Sequence, residues 1–233
     1  MLMKPGPHSF VAAFTLIELL IVIVCLGVMA ALLLPALARP KRAAPGYQCR
    51  NNLKQVNVSF RVWAIDNGDK YPMAVALTNG GTMELVDSGV VYTHFQVMSN
   101  ELSTPKILVC PQDPVWEKRM ATAFSRSSSA YPNVLFASDK NVNYFVGVDA
   151  DQTRPAMFLT GDANVLLEGQ LPKGGLQSFG LDDKLTWHEP RHANRGNVGM
   201  ADGSAVEQFD TPGLRKALRA SGVTNRLAIP ASP

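Results

Sequence analysis

Residues 12–38 read AAFTLIELLIVIVCLGVMAALLLPALA, and positions 19–38 carry no charge. At about 1.5 Å per residue, a helix over that uncharged run is roughly 30 Å long, the thickness of a bilayer's hydrocarbon core. A cleaved secretory signal has an apolar region of only about 7–15 residues and ends at a small-residue cleavage site. Here the bulky Leu32-Leu33-Leu34-Pro35 follows the small residues instead. The sequence therefore predicts a retained transmembrane helix. Glu18 sits just inside its start. A carboxylate there either reaches the interface or needs a partner, because a charge within a bilayer costs a few kcal/mol or more.

The run Phe14-Thr15-Leu16-Ile17-Glu18-Leu19-Leu20 resembles the N-terminal signature of type IV pilins and of the pseudopilins of type II secretion. The resemblance implies a leader, residues 1–13, cut between Ala13 and Phe14 by a prepilin peptidase, with methylation of the new amine. It makes Glu18 the assembly residue, paired with the N-terminal amine of a neighbouring subunit. Two opposite charges that neutralise each other in a low-dielectric place favour docking in one register. Two features depart from the family pattern. Ala13 stands where the family nearly always has glycine. Lys4 is the leader's only strong cation while Arg39, Lys41 and Arg42 follow the helix, and by the positive-inside rule that distribution favours the opposite orientation. The orientation implied by the signature is adopted.

Residues 39–46, RPKRAAPG, contain Pro40, Pro45 and Gly46. Each proline removes a donor and crowds the preceding turn, so a kinked basic linker is expected. The next stretch places Leu53, Val56, Phe60, Trp63 and Ala64 at helical spacing, and Asn67-Gly68 and Pro72 close it. Further on, residues 107–110 read as a short strand and 119–126 as a short helix. Residues 142–148 are rich in β-formers. Apolar runs at 156–160 and 165–167 flank Gly161-Asp162-Ala163-Asn164 and read as a hairpin. Val198 and Met200 precede Asp202-Gly203, and 205–209 follow, a second hairpin in which glycine supplies the turn's positive φ. Thr211-Pro212 opens a last helix with Leu214, Ala217 and Leu218 inward. The expected fold is α+β and pilin-like, a long N-terminal hydrophobic helix packed on a small antiparallel β-sheet. Its parts are the leader 1–13, the transmembrane or filament-core helix 14–38, the linker 39–46 and a soluble domain 47–233.

A second resemblance runs through the soluble part. Cys49-Arg50-Asn51-Asn52-Leu53-Lys54-Gln55, then Cys110-Pro111, then His192 followed at a distance by Asp202-Gly203, is similar to a bacterial pilin-like subgroup with the ordered motifs CxNNLKQ, CP and His-x9-Asp-Gly. It marks His192, Asp202 and Gly203 as structural landmarks. Cys49 and Cys110 form an even pair, and an exported domain favours a disulfide between them, although spacing alone leaves the pairing open. Cys25, inside the apolar run, behaves as a small hydrophobe.

Two metal readings arise. His188-Glu189-Pro190-Arg191-His192 spells H-E-x-x-H, which in zinc hydrolases needs both histidines one helical turn apart. Pro190 between them and the strand expected from about Asn197 oppose such a helix. The major pseudopilins bind Ca²⁺ in a loop of their sheet, and Asp162, Asn164 and Asp202 offer the oxygen donors that Ca²⁺ takes. Aspartate and asparagine are also ordinary turn residues. The net charge of +3, without a long basic run, gives no support to nucleic-acid binding. No nucleotide-binding glycine motif or nucleophile elbow occurs.

The functional expectation is a non-enzymatic, pilin-like structural subunit. It is placed in the bacterial inner membrane as a single-pass protein with its soluble domain outside the cytoplasm, and then in a pilus or a type II secretion pseudopilus. Its partners are further subunits, prepilin peptidase, an inner-membrane assembly platform and membrane lipid. The alternatives are a membrane-anchored extracytoplasmic ligand-binding protein that does not polymerise and, more remotely, the zinc hydrolase.

Overall fold

The computed structural model describes residues 15–38, 40–125, 134–188, 191–203 and 206–231, with the backbone alone for 33–38, 40–45, 116 and 117. The chain divides into two compact units, Met1–Ala44 and Pro45–Pro233.

In the first unit, helix α1 (Leu16–Ala38) opens on a capping box. The Thr15 N–H and hydroxyl donate to Glu18 Oε2 at 2.9 and 2.8 Å, and the Glu18 N–H donates to Thr15 Oγ1 at 3.3 Å. A Thr-x-x-Glu pair of this kind satisfies backbone donors that a helix start otherwise leaves without partners. These bonds from Thr15 hold the Glu18 carboxyl below its usual range. Past the cap, positions 16–32 are exposed throughout, among them Leu16, Ile17, Ile21, Leu26 and Leu32.

Two expectations are corrected here. Among the described residues no helix is long and apolar enough to cross a membrane. The single-pass transmembrane helix over 14–38 is therefore not supported, and neither is the inner-membrane placement built on it. The second correction concerns the fold class. The N-terminal hydrophobic helix belongs to a unit of its own. The long helix of the sheet-bearing unit is instead α2 (Pro40–Asp66), from Pro45 onward. Pro40 takes the first position of α2, where a missing N–H costs nothing. Pro45 and Gly46 lie within the helix, where the sequence predicted a break.

The apolar face read from the periodicity of α2 is the one buried: Leu53, Val56, Phe60, Trp63 and Ala64 all lie in the core. Gly68 ends the helix with φ +66°. A chain of short elements follows. Single turns of 3-10 helix occupy Pro72–Ala74 and Leu77–Asn79, and a longer one occupies Met83–Ser88. Then come α3 (Tyr92–Gln96) and α4 (Ser99–Leu102). The strand expected over 107–110 is replaced by a 3-10 turn, Pro105–Leu108. Pro105 presets φ for that turn, and Thr104 Oγ1 accepts from the Lys106 N–H at 3.4 Å. The short helix comes earlier than predicted, as α5 (Trp116–Arg119).

Among the described residues eight strands follow: β1 (Tyr144–Gly147), β2 (Phe158–Asp162), β3 (Val165–Leu167), β4 (Gly175–Phe179), β5 (Leu185–Trp187), β6 (Arg195–Met200), β7 (Val206–Asp210) and, after α6 (Thr211–Ala220), β8 (Asn225–Ile229). Six of them form an antiparallel sheet in the order β4-β8-β1-β2-β6-β7, and β3 pairs β5 separately. The hairpin predicted across 161–164 does not form, because β2 pairs β1 and β6 while β3 leaves for β5. The β6–β7 hairpin is present, with Gly203 at φ +71° in its turn. In α6, Asp210 Oδ1 accepts from the Gly213 N–H at 2.8 Å, and Leu214, Ala217 and Leu218 are buried.

Successive residues of β1 point to opposite faces, as a pleated strand requires. Tyr144 and Val146 join the core containing Leu53, Val56 and Phe60 of α2. Phe145 joins a second core with Trp187, Leu214 and Leu218. Both faces of the sheet are thus covered. Close approach of α2 explains Gly199: a Cβ there would overlap the buried Asn57 amide.

One buried group of this unit makes stability depend on pH. The His94 side chain sits in the core, its Nδ1 within 2.7 Å of Thr82 Oγ1, and burial lowers its pKa to about 4. The unfolded imidazole protonates near 6.5. Stability is therefore intact above pH 6.5 and falls as pH drops towards 4, because protons bind the unfolded chain first. Between pH 7 and pH 5 the loss from His94 is about 2 kcal/mol. Urea midpoints at those two pH values should show it, and His94→Gln should remove most of the difference.

Candidate functional site

The motifs that the sequence set far apart meet at one end of the sheet. Cys49, on α2, and Cys110, just past the 3-10 turn at Pro105–Leu108, are joined by a disulfide with Cα atoms 5.0 Å apart. His192 Nε2 lies 3.4 Å from Cys110 Sγ and 3.3 Å from Asp162 Oδ2. The side chains of His192 and Asp162 are each only 1% exposed. The two cysteine motifs also touch directly, since Asn52 Nδ2 donates to the Val109 carbonyl at 3.4 Å.

Each side chain is held by its own element. Asp162 is the last residue of β2, and its Oδ2 accepts from the backbone N–H and the Nδ2 of Asn197 on β6, both at 2.7 Å. His192 lies in the turn between β5 and β6, with its N–H donating to Gln112 Oε1 at 3.1 Å. That turn is unusual. His192, Ala193 and Asn194 have φ of +56°, +49° and +61°, three consecutive left-handed residues, none of them glycine. Such conformations cost about 1 kcal/mol or more each and persist where the surroundings fix them. Here they aim the imidazole into the protein.

A second layer supports the first. Asn143, just before β1, accepts from the Cys110 N–H at 3.0 Å through Oδ1 and donates to Asp113 Oδ2 at 2.6 Å through Nδ2. Asp113 Oδ2 also takes a 2.7 Å bond from Arg191 Nη2, and Arg119 Nε stands 3.7 Å away. Burial lowers the Arg119 pKa, against the opposing charge of Asp113. Tyr144 is buried beside this network, and burial, then the charge of Asp162, raise its phenol well above the usual value. Asp113, Arg119 and Arg191 also line a cavity of about 250 Å³ with Asn164, His188 and Pro230.

The predicted site residues separate into three groups. Cys49, Cys110, His192 and Asp162 come together. Asp202 and Gly203 do not join them. Register pairs Gly161 with Val198 and Phe158 with Met200, so Asp202 lies beyond the far end of the strand pair from Asp162. The proposed calcium set is thus divided. Asn164 serves the chain instead, its Nδ2 donating to the His188 carbonyl at 3.2 Å and to the Arg195 carbonyl at 3.5 Å. Ala13, Phe14 and Glu189 lie outside the described residues. His188 follows β5, and His192 has a left-handed φ, so the two histidines do not share the helical turn that a zinc hydrolase of the H-E-x-x-H type needs.

Sequence reasoning missed Asp113, Arg119, Asn143, Arg191 and Asn197. Asp113 follows the Cys-Pro motif and Arg191 lies inside H-E-x-x-H, the only sequence signals near them. No protein-family model, curated protein or solved structure matches the chain.

Proposed function

We propose that this chain is a pilin-like structural subunit. A prepilin peptidase trims it between Ala13 and Phe14, and an assembly platform adds it to a pilus or a type II secretion pseudopilus. The observation that carries this reading is α1. A helix that is apolar on every side is stable only when covered, and contiguous exposed apolar surface of this extent marks an interaction site. From Leu16 to Leu32 it is exposed along its length. The α1 helices of further subunits are the cover assigned here, bundled as the filament core. The disulfide and the buried polar network of the sheet-bearing unit give that unit a rigid body.

Glu18 has two roles in this reading. In the isolated chain it closes the capping box with Thr15. In the filament it exchanges that contact for the N-terminal amine of a neighbour, a stronger partner in a low-dielectric core. Glu18→Gln separates the two, because glutamine also serves in a capping box but carries no charge. Sheared surface filaments from the native cell should contain this chain, with an intact mass showing loss of residues 1–13. Glu18→Gln should cut its amount in filaments at least tenfold while total protein stays constant. Normal incorporation of Glu18→Gln, or a native protein that begins at Met1 and forms no filament, would overturn the proposal.

A further inference from the structure

We propose that the buried cluster Cys49, Cys110, His192 and Asp162 is a two-state site: a disulfide when oxidised, and a tetrahedral zinc site when reduced. The inference is independent of the filament reading.

The donor set is the first support. The two sulfurs and His192 Nε2 lie within 4.8 Å of one another, all buried, and Asp162 Oδ2 is 3.3 Å from the same Nε2. Thiolate, imidazole and carboxylate are the ligand types zinc takes in closed sites. The spacing is the second support. For a tetrahedral ion with Zn–S of about 2.3 Å, and Zn–N and Zn–O of about 2.0–2.1 Å, the N···S edge is about 3.5 Å and the N···O edge about 3.4 Å. The observed separations are 3.4 and 3.3 Å. The two sulfurs need to part from bonding distance to an edge of about 3.8 Å, and the Asp162 carboxylate, which lies outside the 4.8 Å group formed by the other three, needs to approach them.

The third support is unused polar capacity. Asp162 Oδ1 is buried and has no hydrogen-bond partner among the described residues. A buried polar atom without a partner costs about 1–3 kcal/mol and calls for an explanation. In the disulfide state the Nε2–H of His192 faces Asp162 Oδ2. In the zinc state the ring proton moves to Nδ1, Nε2 binds the metal, and Asp162 supplies a carboxylate oxygen. The Asn197 N–H and Nδ2 keep that carboxylate oriented, as supporting hydrogen bonds do in metal sites.

The chemistry balances with a dithiol reductant. The Cys49–Cys110 bond takes two electrons and two protons and becomes two thiols, while the reductant closes its own disulfide. Zinc then displaces both thiol protons to solvent, so occupancy is favoured at higher pH.

The test uses the full chain carrying Cys25→Ser, so that only the site cysteines remain. It is compared oxidised and after reduction with a phosphine, which is not a thiol ligand. Cobalt(II) is the probe, and zinc is added as its competitor. The reduced protein should bind one cobalt per chain, with thiolate-to-metal charge-transfer absorption and the intense visible bands of tetrahedral geometry, and zinc should abolish both. The oxidised protein should show neither. His192→Ala and Asp162→Asn should each weaken cobalt binding at least tenfold in the reduced state. The proposal fails if the reduced chain gives no charge-transfer band, or if circular dichroism shows it unfolded with and without metal. It also fails if both variants bind as tightly as the parent, since two thiols alone would then account for the signal.

Discussion

Replacing both Cys49 and Cys110 by alanine lowers the free energy of unfolding by about 4 kcal/mol in metal-free buffer. The disulfide closes a loop with a sequence separation of 61. In the chain-entropy description, its main effect is to remove conformations from the unfolded ensemble, and the gain rises with the logarithm of loop length. The loop contains the helical segments from 72 to 108, which have little regular structure of their own to hold them. It begins on α2, whose apolar face is part of the main core. Its other end is fixed by the Asn143 bond to the Cys110 N–H. Without the bridge, these segments stay attached through side-chain packing such as Phe60 against Phe95, with ring centroids 5.9 Å apart. The double variant should therefore fold but denature at a clearly lower urea concentration, with a steeper loss on heating. The parent under metal-free reduction should move to nearly the same midpoint. An unchanged midpoint in the variant would show that the loop is held by packing alone.

What the sequence made legible depended on how local the cause was. Helix α2 was readable because five apolar residues repeat at one period, and α6 because Thr211-Pro212 defines a helix start; its Asp210 cap is seen only in the structure. The β6–β7 hairpin was readable because Asp202-Gly203 joins strands adjacent in the chain. Strand β8 was not. It is five residues long, and its place between β4 and β1 is set by pairing with distant strands. The same applies to the misread hairpin at 161–164. Its apolar flanks were identified correctly as strand-forming, but Asp162 is held by Asn197 on β6 and pulls β2 into the large sheet. Glu18 shows a different kind of gap. The Thr15-x-x-Glu18 capping box was present in the sequence, and the family resemblance drew attention to an intermolecular partner instead. At the site, the three motifs of the second resemblance are legible in order along the chain, but their convergence depends on tertiary packing that no local pattern encodes. Asp113 and Arg191 are separated by 78 positions, and no periodicity links them.

Asp162→Ala should cost about 3 kcal/mol or more in the oxidised protein, through loss of one acceptor that serves several buried donors. Its Oδ2 takes bonds from the Asn197 backbone N–H and Nδ2 and faces His192 Nε2. Each donor left without a partner in the interior costs about 1–3 kcal/mol, and Asn197 is itself fully buried, so water cannot replace the carboxylate. The side chain removed is small, so the cavity contributes less than the unpaired donors. Asp162→Asn is the discriminating control. An amide carbonyl can still accept both Asn197 bonds, while the negative charge is gone. It should cost about 1 kcal/mol, the difference between a charge-assisted and a neutral bond. Urea titration followed by tryptophan emission suits the measurement, because Trp187 is buried in the core and its ring lies against Gly196, close to the 192–194 turn. The two variants also bear on the left-handed turn at 192–194. If the hydrogen-bonded imidazole holds that turn in place, Asp162→Ala should speed proteolytic nicking near Asn194, and Asp162→Asn should not. Equal stability of the parent and Asp162→Ala would mean that the Asp162 network contributes nothing to holding β2, β6 and the turn together.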